Sequence, residues 1–126
     1  MADPIKVLIV EDDKFLSELI STKLTKEGFN IVLATDGESG LQKAIAEKPN
    51  IILLDIMLPG MSGFEVLEAL KKQADQTVAN IPVLILSNFG QESKVQQGLS
   101  LGAKDYLVKA NFTTAEIVEK IKKTLA

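Results

Sequence analysis

Acidic residues directly follow two apolar runs of this chain: the triplet Glu11–Asp13 and the single residue Asp55. A hydroxyl group, Ser87, and an ammonium group, Lys109, close two later apolar runs. Neighbouring carboxylates repel one another, so a crowded group of them needs a cation. Because the chain has no cysteine and no histidine, the ligands would be oxygen atoms, which suits Mg²⁺.

The chemistry that these residue types could perform is phosphoryl transfer to a carboxylate. Asp55 could be the in-line nucleophile. Lys109 could hold a phosphate oxygen as a point charge, and Ser87 could donate a hydrogen bond to another. Mg²⁺ and Lys109 would then stabilise the charge of the transition state.

Each of these residues also has a simpler structural explanation when it is taken alone. Asp12 or Asp13 could cap the following helix, and we favour Asp13, which leaves Glu11 and Asp12 for the ion. Asp55 could be a turn residue, Ser87 a hydroxyl that precedes a helix, and Lys109 a solvated lysine. Their joint placement, each at the end of an apolar run, favours a ligand site.

Five short apolar runs are predicted to be the strands that position these residues. They are Val7–Val10, Ile31–Ala34, Ile51–Leu54, Val83–Leu86 and Tyr106–Val108. Strands that are apolar on both faces belong to parallel sheets covered by helices. The alternation of strands and helices predicts an α/β fold, a doubly wound five-stranded parallel sheet of order 2-1-3-4-5 with five helices, in a flavodoxin-like three-layer sandwich. Ligands bind such sheets beyond the carboxyl ends of the strands, where the order reverses.

Five helices are predicted from apolar periodicity, capping residues and stop signals. The first runs from Asp13 to Glu27 and stops at Gly28, the second starts near Asp36 and is ended by Pro49, and the fourth runs roughly from Glu92 to Leu101. The third and the fifth begin with capping boxes, Ser62 with Glu65 and Thr113 with Glu116. The expected buried residues of the five helices are Phe15, Leu16, Leu19, Ile20, Leu24, Leu41, Ala44, Ile45, Phe64, Val66, Leu67, Leu70, Val95, Leu99, Ile117, Val118, Ile121 and Leu125. The fourth is the weakest, because Gly98 in its interior costs ~1 kcal/mol relative to alanine.

The bulk properties favour one domain over residues 1–126, with no output domain in this chain. The length of 126 residues is ordinary for a single domain. The net charge of −3 does not suggest direct binding of nucleic acid. No apolar run approaches the ~20 residues of a membrane span, so we expect a cytoplasmic protein without membrane contact.

The chain resembles the receiver domain of bacterial two-component response regulators over essentially its whole length. The resemblance rests on four segments in the right order: VLIVEDD (7–13), LLDIMLPGMSG (53–63), LILSN (84–88) and GAKDYLVK (102–109). It implies that Asp55 accepts the phosphoryl group. It also implies that Glu11, Asp12 and Asp55 hold Mg²⁺ together with the backbone carbonyl of Met57.

The resemblance implies roles for residues around this site. Ser87 would be the switch hydroxyl that moves to the phosphoryl oxygen, which Lys109 contacts. Tyr106 would be the switch aromatic that turns inward after Ser87 moves. Met57 and Phe89 lie where the family varies residues that tune autodephosphorylation. Both are apolar here, and we hypothesise that they hinder the attacking water and lengthen the phosphorylated lifetime.

One residue departs from the family pattern. Pro59 and Gly63 fit the turn that follows the phosphorylated strand, but Ala110 follows Lys109 where the family has proline, usually with a cis peptide bond. A cis bond to a non-proline residue costs ~2.5–4 kcal/mol. Either the site tolerates that strain, or the bond is trans and the following loop takes a different path.

The function implied is a phosphoacceptor switch that catalyses its own phosphorylation and dephosphorylation rather than a conventional enzyme. Because the chain has no histidine, a phosphohistidine must come from another protein, a sensor histidine kinase or a phosphotransfer protein. A small phosphodonor could serve instead. The face made by the fourth helix, fifth strand and last helix would then change its affinity for an effector, an output domain or a second copy in a homodimer.

The pattern leaves three alternatives to this function. The first is a pseudo-receiver, an interaction module of the same fold that does not turn over phosphate. The second is a Mg²⁺-dependent phosphohydrolase, which would typically need a second acid two residues after the nucleophile, where this chain has Met57. The third is a flavin-binding module, which would need a hydroxyl- and glycine-rich loop after the first strand, where the sequence is EDDKF.

Overall fold

A single five-stranded sheet organises the protein in this computed structural model, which describes residues 4–126. The first three residues of the expected domain lie outside that range. The strands are β1 (Lys6–Val10), β2 (Asn30–Ala34), β3 (Ile51–Leu54), β4 (Val83–Ser87) and β5 (Asp105–Val108). They pair in parallel in the order β2-β1-β3-β4-β5, which confirms the predicted topology.

The helices number six within residues 4–126, one more than predicted. They are α1 (Lys14–Lys26), α2 (Gly37–Glu47), α3 (Gly63–Lys71), α4 (Gln76–Ala79), α5 (Glu92–Ser100) and α6 (Thr114–Leu125). The extra helix, α4, is one turn long, and the Asp75 side chain caps it by accepting the N–H of Thr77 at 2.9 Å. A single turn is too short to show a helical period, which is why the prediction of five helices was wrong.

The predicted caps are present at the helix starts. Asp13 accepts the N–H of Leu16 at 3.2 Å, so it caps α1. Capping boxes begin α3, with Ser62 and Glu65, and α6, with Thr113 and Glu116. These hydrogen bonds satisfy N–H groups that have no partner inside the helix, and they fix where each helix begins after its strand.

The core lies on both faces of the sheet. Alternate residues of the central strands face opposite sides, because side chains alternate along a strand. One set packs with α2, α3 and α5, and includes Leu8, Val10, Ile52, Leu54, Val83 and Ile85. The other packs with α1 and α6, and includes Val7, Ile9, Ile51, Leu53, Leu84 and Leu86. Within residues 4–126 none of the helices is long and apolar enough to cross a lipid bilayer.

Four residues that were expected to be buried are exposed. In α1, Phe15 is 73% exposed and Leu19 is 39% exposed. The side of α1 that faces the sheet carries Ser17, Ile20 and Leu24, spaced three and four residues apart. Phe15 and Leu19 lie four residues apart on a neighbouring stripe, so the predicted apolar face was too wide.

The other two exposed residues are Ile45 of α2 and Leu99 of α5. In these helices the close contacts are made by small residues, since Ala44 of α2 and Gly98 of α5 are buried. Small side chains let a helix approach the sheet closely, and the apolar residues next to them then lie at the edge of the contact. A pattern that counts only large apolar residues misplaces such a face.

Candidate functional site

The ends of β1 and β3 bring two buried carboxylates together. Val10 and Leu54 are direct partners in the sheet, and Glu11 and Asp55 are the next residues along each strand. The N–H of Asp55 donates to the carbonyl of Val10 at 3.0 Å, which continues the pairing beyond the strand. Glu11 is 3% exposed and Asp55 is 4% exposed. The sequence prediction that these residues meet at the sheet edge is therefore confirmed.

A third carboxylate completes the group. Glu11, Asp12 and Asp55 each offer an oxygen atom, and these oxygens lie within 4.8 Å of one another. Asp12 is exposed, whereas the other two are buried. The side chain of Asp13 caps α1, as predicted, and is not one of these three carboxylates.

Lys109 reaches both buried carboxylates from the end of β5. Its Nζ lies 2.9 Å from Oε1 of Glu11 and donates a hydrogen bond to Oδ2 of Asp55 at 3.1 Å. Every peptide bond within residues 4–126 is trans, including the bond to Ala110. The chain leaves β5 through a 3₁₀ turn, Lys109–Asn111. Of the two possibilities left open by Ala110, the trans bond is therefore the one observed, and Lys109 remains in the site.

The surroundings of Glu11 raise the pKa of its carboxyl group. Burial is the main cause that raises the pKa of Glu11 to about 7, and the adjacent Asp55 adds to the rise, while Lys109 and the N–H of Asp13 oppose it. Burial would lower the pKa of Lys109, but its contacts with the two carboxylates outweigh burial and raise that pKa. Lys109 therefore keeps its charge between the two acids.

The donor set fits a hard divalent cation. Oε1 of Glu11 is buried and makes no hydrogen bond with residues 4–126, and its contact with Nζ of Lys109 at 2.9 Å is an ion pair. Lys109 supplies one positive charge to a group of three carboxyl groups, so a further cation would stabilise their ionised forms. Two further carboxylates stand within reach, and all the side-chain donors are oxygen atoms, as Mg²⁺ prefers. The residues present thus fit the predicted ion.

The backbone of Phe89 links the two candidate switch residues. Ser87 is fully buried at the end of β4, and its Oγ accepts the N–H of Phe89 at 3.0 Å. The hydroxyl of Tyr106 donates to the carbonyl of the same Phe89 at 2.7 Å. Tyr106 is only 8% exposed, so its ring already lies inward in this structure. Sequence patterns gave no sign of this link, because it runs through backbone atoms.

The backbone of Met57 contacts Asp55, the candidate nucleophile. Its N–H donates to Oδ1 of Asp55 at 3.0 Å, and the residue is 58% exposed. The roles assigned to its carbonyl as a metal ligand and to its side chain as a barrier to water remain predictions.

Gly63 lies against the backbone of the site, and the sequence did not reveal why glycine is needed there. A Cβ atom there would lie 2.2 Å from the carbonyl oxygen of Asp55 and 2.5 Å from Cα of Ile56. The N–H of Gly63 also donates to the carbonyl of Ile56 at 3.1 Å. The first turn of α3 is thus pressed against the backbone that carries Asp55, which only glycine permits.

Gly63→Ala is expected to destabilise the protein and disturb the site together. The added methyl group meets backbone atoms, which cannot rotate away, so we expect a loss of about 2–3 kcal/mol in the free energy of unfolding. Chemical denaturation measures it. Gly90→Ala is the matched control, because a Cβ there would meet only Val108 at an ordinary 3.5 Å. Equal stability of the two variants would contradict the close approach.

Stability of the metal-free protein is expected to fall as pH rises from about 4.5 to 7. The folded state raises the pKa of Glu11 from 4.5 to about 7, so it holds a proton that the unfolded chain has released in this window. This proton contributes at most about 3 kcal/mol to the free energy of unfolding. The contribution is complete below the pKa of Glu11 in the unfolded chain, and it is lost as pH rises through the pKa of Glu11 in the folded protein. Denaturation in chelator across this range measures the slope. Glu11→Gln should flatten it, and an unchanged slope would show that other groups cause it.

Comparisons with known proteins agree with this geometry. The family model "Response regulator receiver domain" matches residues 7–122. The chain is 38% identical over 120 residues to the DNA-binding dual master transcriptional regulator RpaA of Synechocystis sp.; the match covers 95% of this chain but 48% of RpaA. The chain thus spans about half the length of that relative.

Two solved structures are similar over almost the whole chain. The chemotaxis response regulator CheY4 of Vibrio cholerae has a TM-score of 0.88 at 29% identity, covering 98% of this chain and 100% of that one. The CheX-CheY-BeF₃-Mg²⁺ complex from Borrelia burgdorferi has a TM-score of 0.85 at 31% identity, covering 98% of this chain and 90% of that one. Both similarities extend beyond the sheet to the elements that carry the acidic group and Lys109.

Proposed function

Since the chain belongs to the response regulator receiver domain family, we propose that it is a phosphoacceptor switch of a two-component system in which Asp55 accepts the phosphoryl group. The observation that carries this proposal is the placement of Asp55. Its carboxylate is 4% exposed, it stands beside Glu11 and Asp12, and Lys109 donates to its Oδ2 at 3.1 Å. A carboxylate held between further acids and an ammonium group can bind a cation on one side and a phosphoryl group on the other.

We propose that Glu11, Asp12, Asp55 and the backbone carbonyl of Met57 hold Mg²⁺. Three of these donors offer oxygens within 4.8 Å of one another, which supports the proposal. When bound, the ion supplies positive charge that offsets the negative charge of the phosphoryl oxygens. The similar complex from Borrelia burgdorferi is described with BeF₃ and Mg²⁺, which agrees with such an ion in a relative.

In the proposed reaction, a carboxylate oxygen of Asp55 attacks phosphorus in line with the leaving group. A new phosphorus–oxygen bond forms, and the bond between phosphorus and the donor breaks. The electron pair of that bond stays with the donor, which is a phosphohistidine of a partner protein or a small phosphodonor. Lys109 stabilises the phosphoryl oxygens as a point charge, because its ammonium group is already held beside Asp55.

The proposed response begins at Ser87. Its hydroxyl turns to the new phosphoryl oxygen and gives up the N–H of Phe89 that it accepts at 3.0 Å. The loop after β4 then shifts. This shift changes which conformation of the face made by α5, β5 and α6 is most populated. That face would meet an effector, an output domain or a second copy of the chain. The relative RpaA is described as DNA-binding, but the acidic charge of this chain argues against direct DNA contact by this domain.

The departure from the family pattern at Ala110 is the one feature that favours a pseudo-receiver. Because the Nζ of Lys109 lies 3.1 Å from Asp55 although the bond to Ala110 is trans, this departure does not remove the lysine from the site. No observation on the described residues favours a phosphohydrolase, since Met57 stands where a second acid would be needed.

The test is the intact mass of the protein after incubation with a small phosphodonor, with Mg²⁺ or with chelator. The proposal expects one added phosphoryl group that requires Mg²⁺. Glu11→Gln should need a higher Mg²⁺ concentration for the same yield, because it removes one charged ligand. If the folded protein gains no phosphoryl group from small donors or from any candidate kinase, the phosphoacceptor proposal fails.

The phosphorylated lifetime is expected to be long and to shorten when polar side chains replace Met57 and Phe89. Met57 is 58% exposed and its N–H contacts Asp55, whereas Phe89 is half-buried and its N–H contacts Ser87. We propose that their apolar side chains hinder an attacking water. The decay of the acyl phosphate after removal of the donor measures this. Met57→Glu with Phe89→Gln should decay severalfold faster than the parent, whereas Met57→Leu should not. Fast decay in the parent that is unchanged in the double variant would remove the idea.

A further inference from the structure

The first turn of α2 lies against the loop that connects β3 to α3. Gly37, the first residue of α2, is buried, and a Cβ atom there would lie 2.0 Å from the carbonyl oxygen of Met61 and 2.8 Å from its carbonyl carbon. These are backbone atoms, so no rotation of a side chain could relieve the contact. Because Cβ atoms do not approach other atoms more closely than about 3.0 Å, any side chain at position 37 would move either the loop or the helix by about 1 Å.

Of the two segments in contact, α2 is the one that is held in place. Its start is fixed by the Asp36 cap, whose carboxylate accepts the N–H of Ser39 at 2.8 Å. One turn further, α2 packs so closely on β1 that a Cβ atom at Gly40 would lie 2.7 Å from the Val10 side chain. The loop is less confined, since residues 59–60 are exposed to solvent. A methyl group at position 37 would therefore push the loop outward rather than displace the helix.

The loop carries groups that contact the candidate nucleophile. The N–H of Met57 donates to Oδ1 of Asp55 at 3.0 Å, and the carbonyl of Met57 is a proposed Mg²⁺ ligand. The loop is short and its ends are joined, since the N–H of Gly63 donates to the carbonyl of Ile56 at 3.1 Å. An outward shift at Met61 is therefore expected to reach Met57 in the same loop.

We propose that Gly37 is a positioning residue for the phosphoacceptor site, which it supports through the carbonyl of Met61. The absence of a side chain lets the start of α2 lie directly against the loop, and the loop then holds the backbone of Met57 beside Asp55. This deepens the proposed function, on which it rests for the use of Met57 as a Mg²⁺ ligand. The contact between Gly37 and Met61 itself does not depend on phosphoryl transfer.

Gly37→Ala tests this support in the full chain. Hydrogen exchange of the Met57 amide, measured by NMR in chelator, reports whether its N–H still donates to Asp55. We expect this amide to exchange severalfold faster in Gly37→Ala than in the parent, because the displaced loop loses that hydrogen bond. The Mg²⁺ concentration that gives half-maximal phosphorylation should also rise severalfold.

Val118→Ala is the control for a general loss of stability. Val118 is buried in the core on the opposite face of the sheet, where α1 and α6 pack. Its truncation should lower the free energy of unfolding but leave the exchange of the Met57 amide and the Mg²⁺ requirement as they are in the parent. Equal acceleration of that amide in Val118→Ala and Gly37→Ala would overturn the proposal.

Met61→Gly shows whether the crowding at position 37 comes from the loop. This substitution would give the loop backbone the freedom to turn its carbonyl away from the new methyl group. Gly37→Ala should therefore lower stability less in the Met61→Gly background than in the parent, and the double variant should fold even if Gly37→Ala alone does not. Purely additive losses, or a double variant that does not fold, would overturn the proposal.

The exchange measurement separates this proposal from the proposed function. A Met57 amide that exchanges as fast in the folded parent as in the unfolded chain would overturn the proposal, since the loop would then not hold the hydrogen bond. Folded Gly37→Ala with exchange like that of the parent would do the same. Absence of phosphorylation by any donor, in a parent whose Met57 amide is protected, would overturn the proposed function and leave the support of the loop by Gly37 standing.

Discussion

Asp55→Asn is expected to give a folded protein that takes up no phosphoryl group. Asparagine has nearly the shape of aspartate, so the backbone contact between Asp55 and Val10 and the approach of Gly63 should persist. Its amide oxygen is a far weaker nucleophile than a carboxylate, so phosphoryl transfer should be lost rather than slowed. Intact mass after exposure to Mg²⁺ and phosphodonor should show the added group in the parent and none in the variant.

Asp13→Asn is the matched control for this experiment. Asp13 is a nearby aspartate, but it caps α1 through the N–H of Leu16, and asparagine is as good a cap as aspartate. This variant should therefore fold and accept the phosphoryl group as the parent does. Phosphorylation of Asp55→Asn to the level of the parent would show that another side chain is the acceptor.

Lys109→Met is expected to have the largest effect on stability in the absence of Mg²⁺. Methionine keeps much of the aliphatic chain but removes the charge that lies 2.9 Å from Glu11 and 3.1 Å from Asp55. Removing one member of a buried ion pair costs about 3–5 kcal/mol, because the partner charge stays buried without compensation. Chemical denaturation in chelator should show this loss, and added Mg²⁺ should restore part of it.

The same substitution is expected to slow phosphoryl transfer by about a hundredfold or more, the typical effect of removing one group that stabilises transition-state charge. Lys72→Met is the control, since Lys72 pairs with Glu68 on the surface and such pairs contribute about 0–1 kcal/mol. If Lys109→Met and Lys72→Met had the same stability in chelator, Lys109 would not be a member of a buried ion pair.

The sheet and the acidic group could be predicted from the sequence because both depend on local patterns. Strands buried on both faces appear as unbroken apolar runs, and each observed strand begins or ends within one residue of its prediction. Glu11 and Asp55 follow two of these runs, so a correct strand order was sufficient to place them together. The cap at Asp13 could likewise be assigned from the residues that follow it.

Features that depend on contacts between distant elements could not be predicted in this way. The apolar period of α1 does not show that Ser17 faces the core while Phe15 faces solvent, since that depends on how the helix is rotated against the sheet. Gly98 looks unfavourable in its own helix, but a Cβ atom there would lie 2.6 Å from Cδ1 of Ile85 on β4 and 3.1 Å from the ring of Tyr106 on β5. The bond to Ala110 is trans, as is usual for a residue other than proline, but the family pattern with its proline gave no precedent for the 3₁₀ turn that follows β5.

The central claim is that Asp55 itself carries the phosphoryl group, and chemical mapping of that residue tests it most directly. Borohydride reduces an aspartyl phosphate to homoserine, so the protein would be phosphorylated with Mg²⁺ and phosphodonor, reduced, digested and sequenced by tandem mass spectrometry. We expect homoserine at position 55, only when Mg²⁺ was present, with Asp12 and Asp13 unchanged. Homoserine at either of those positions, or none anywhere in a protein that gained mass, would contradict the account.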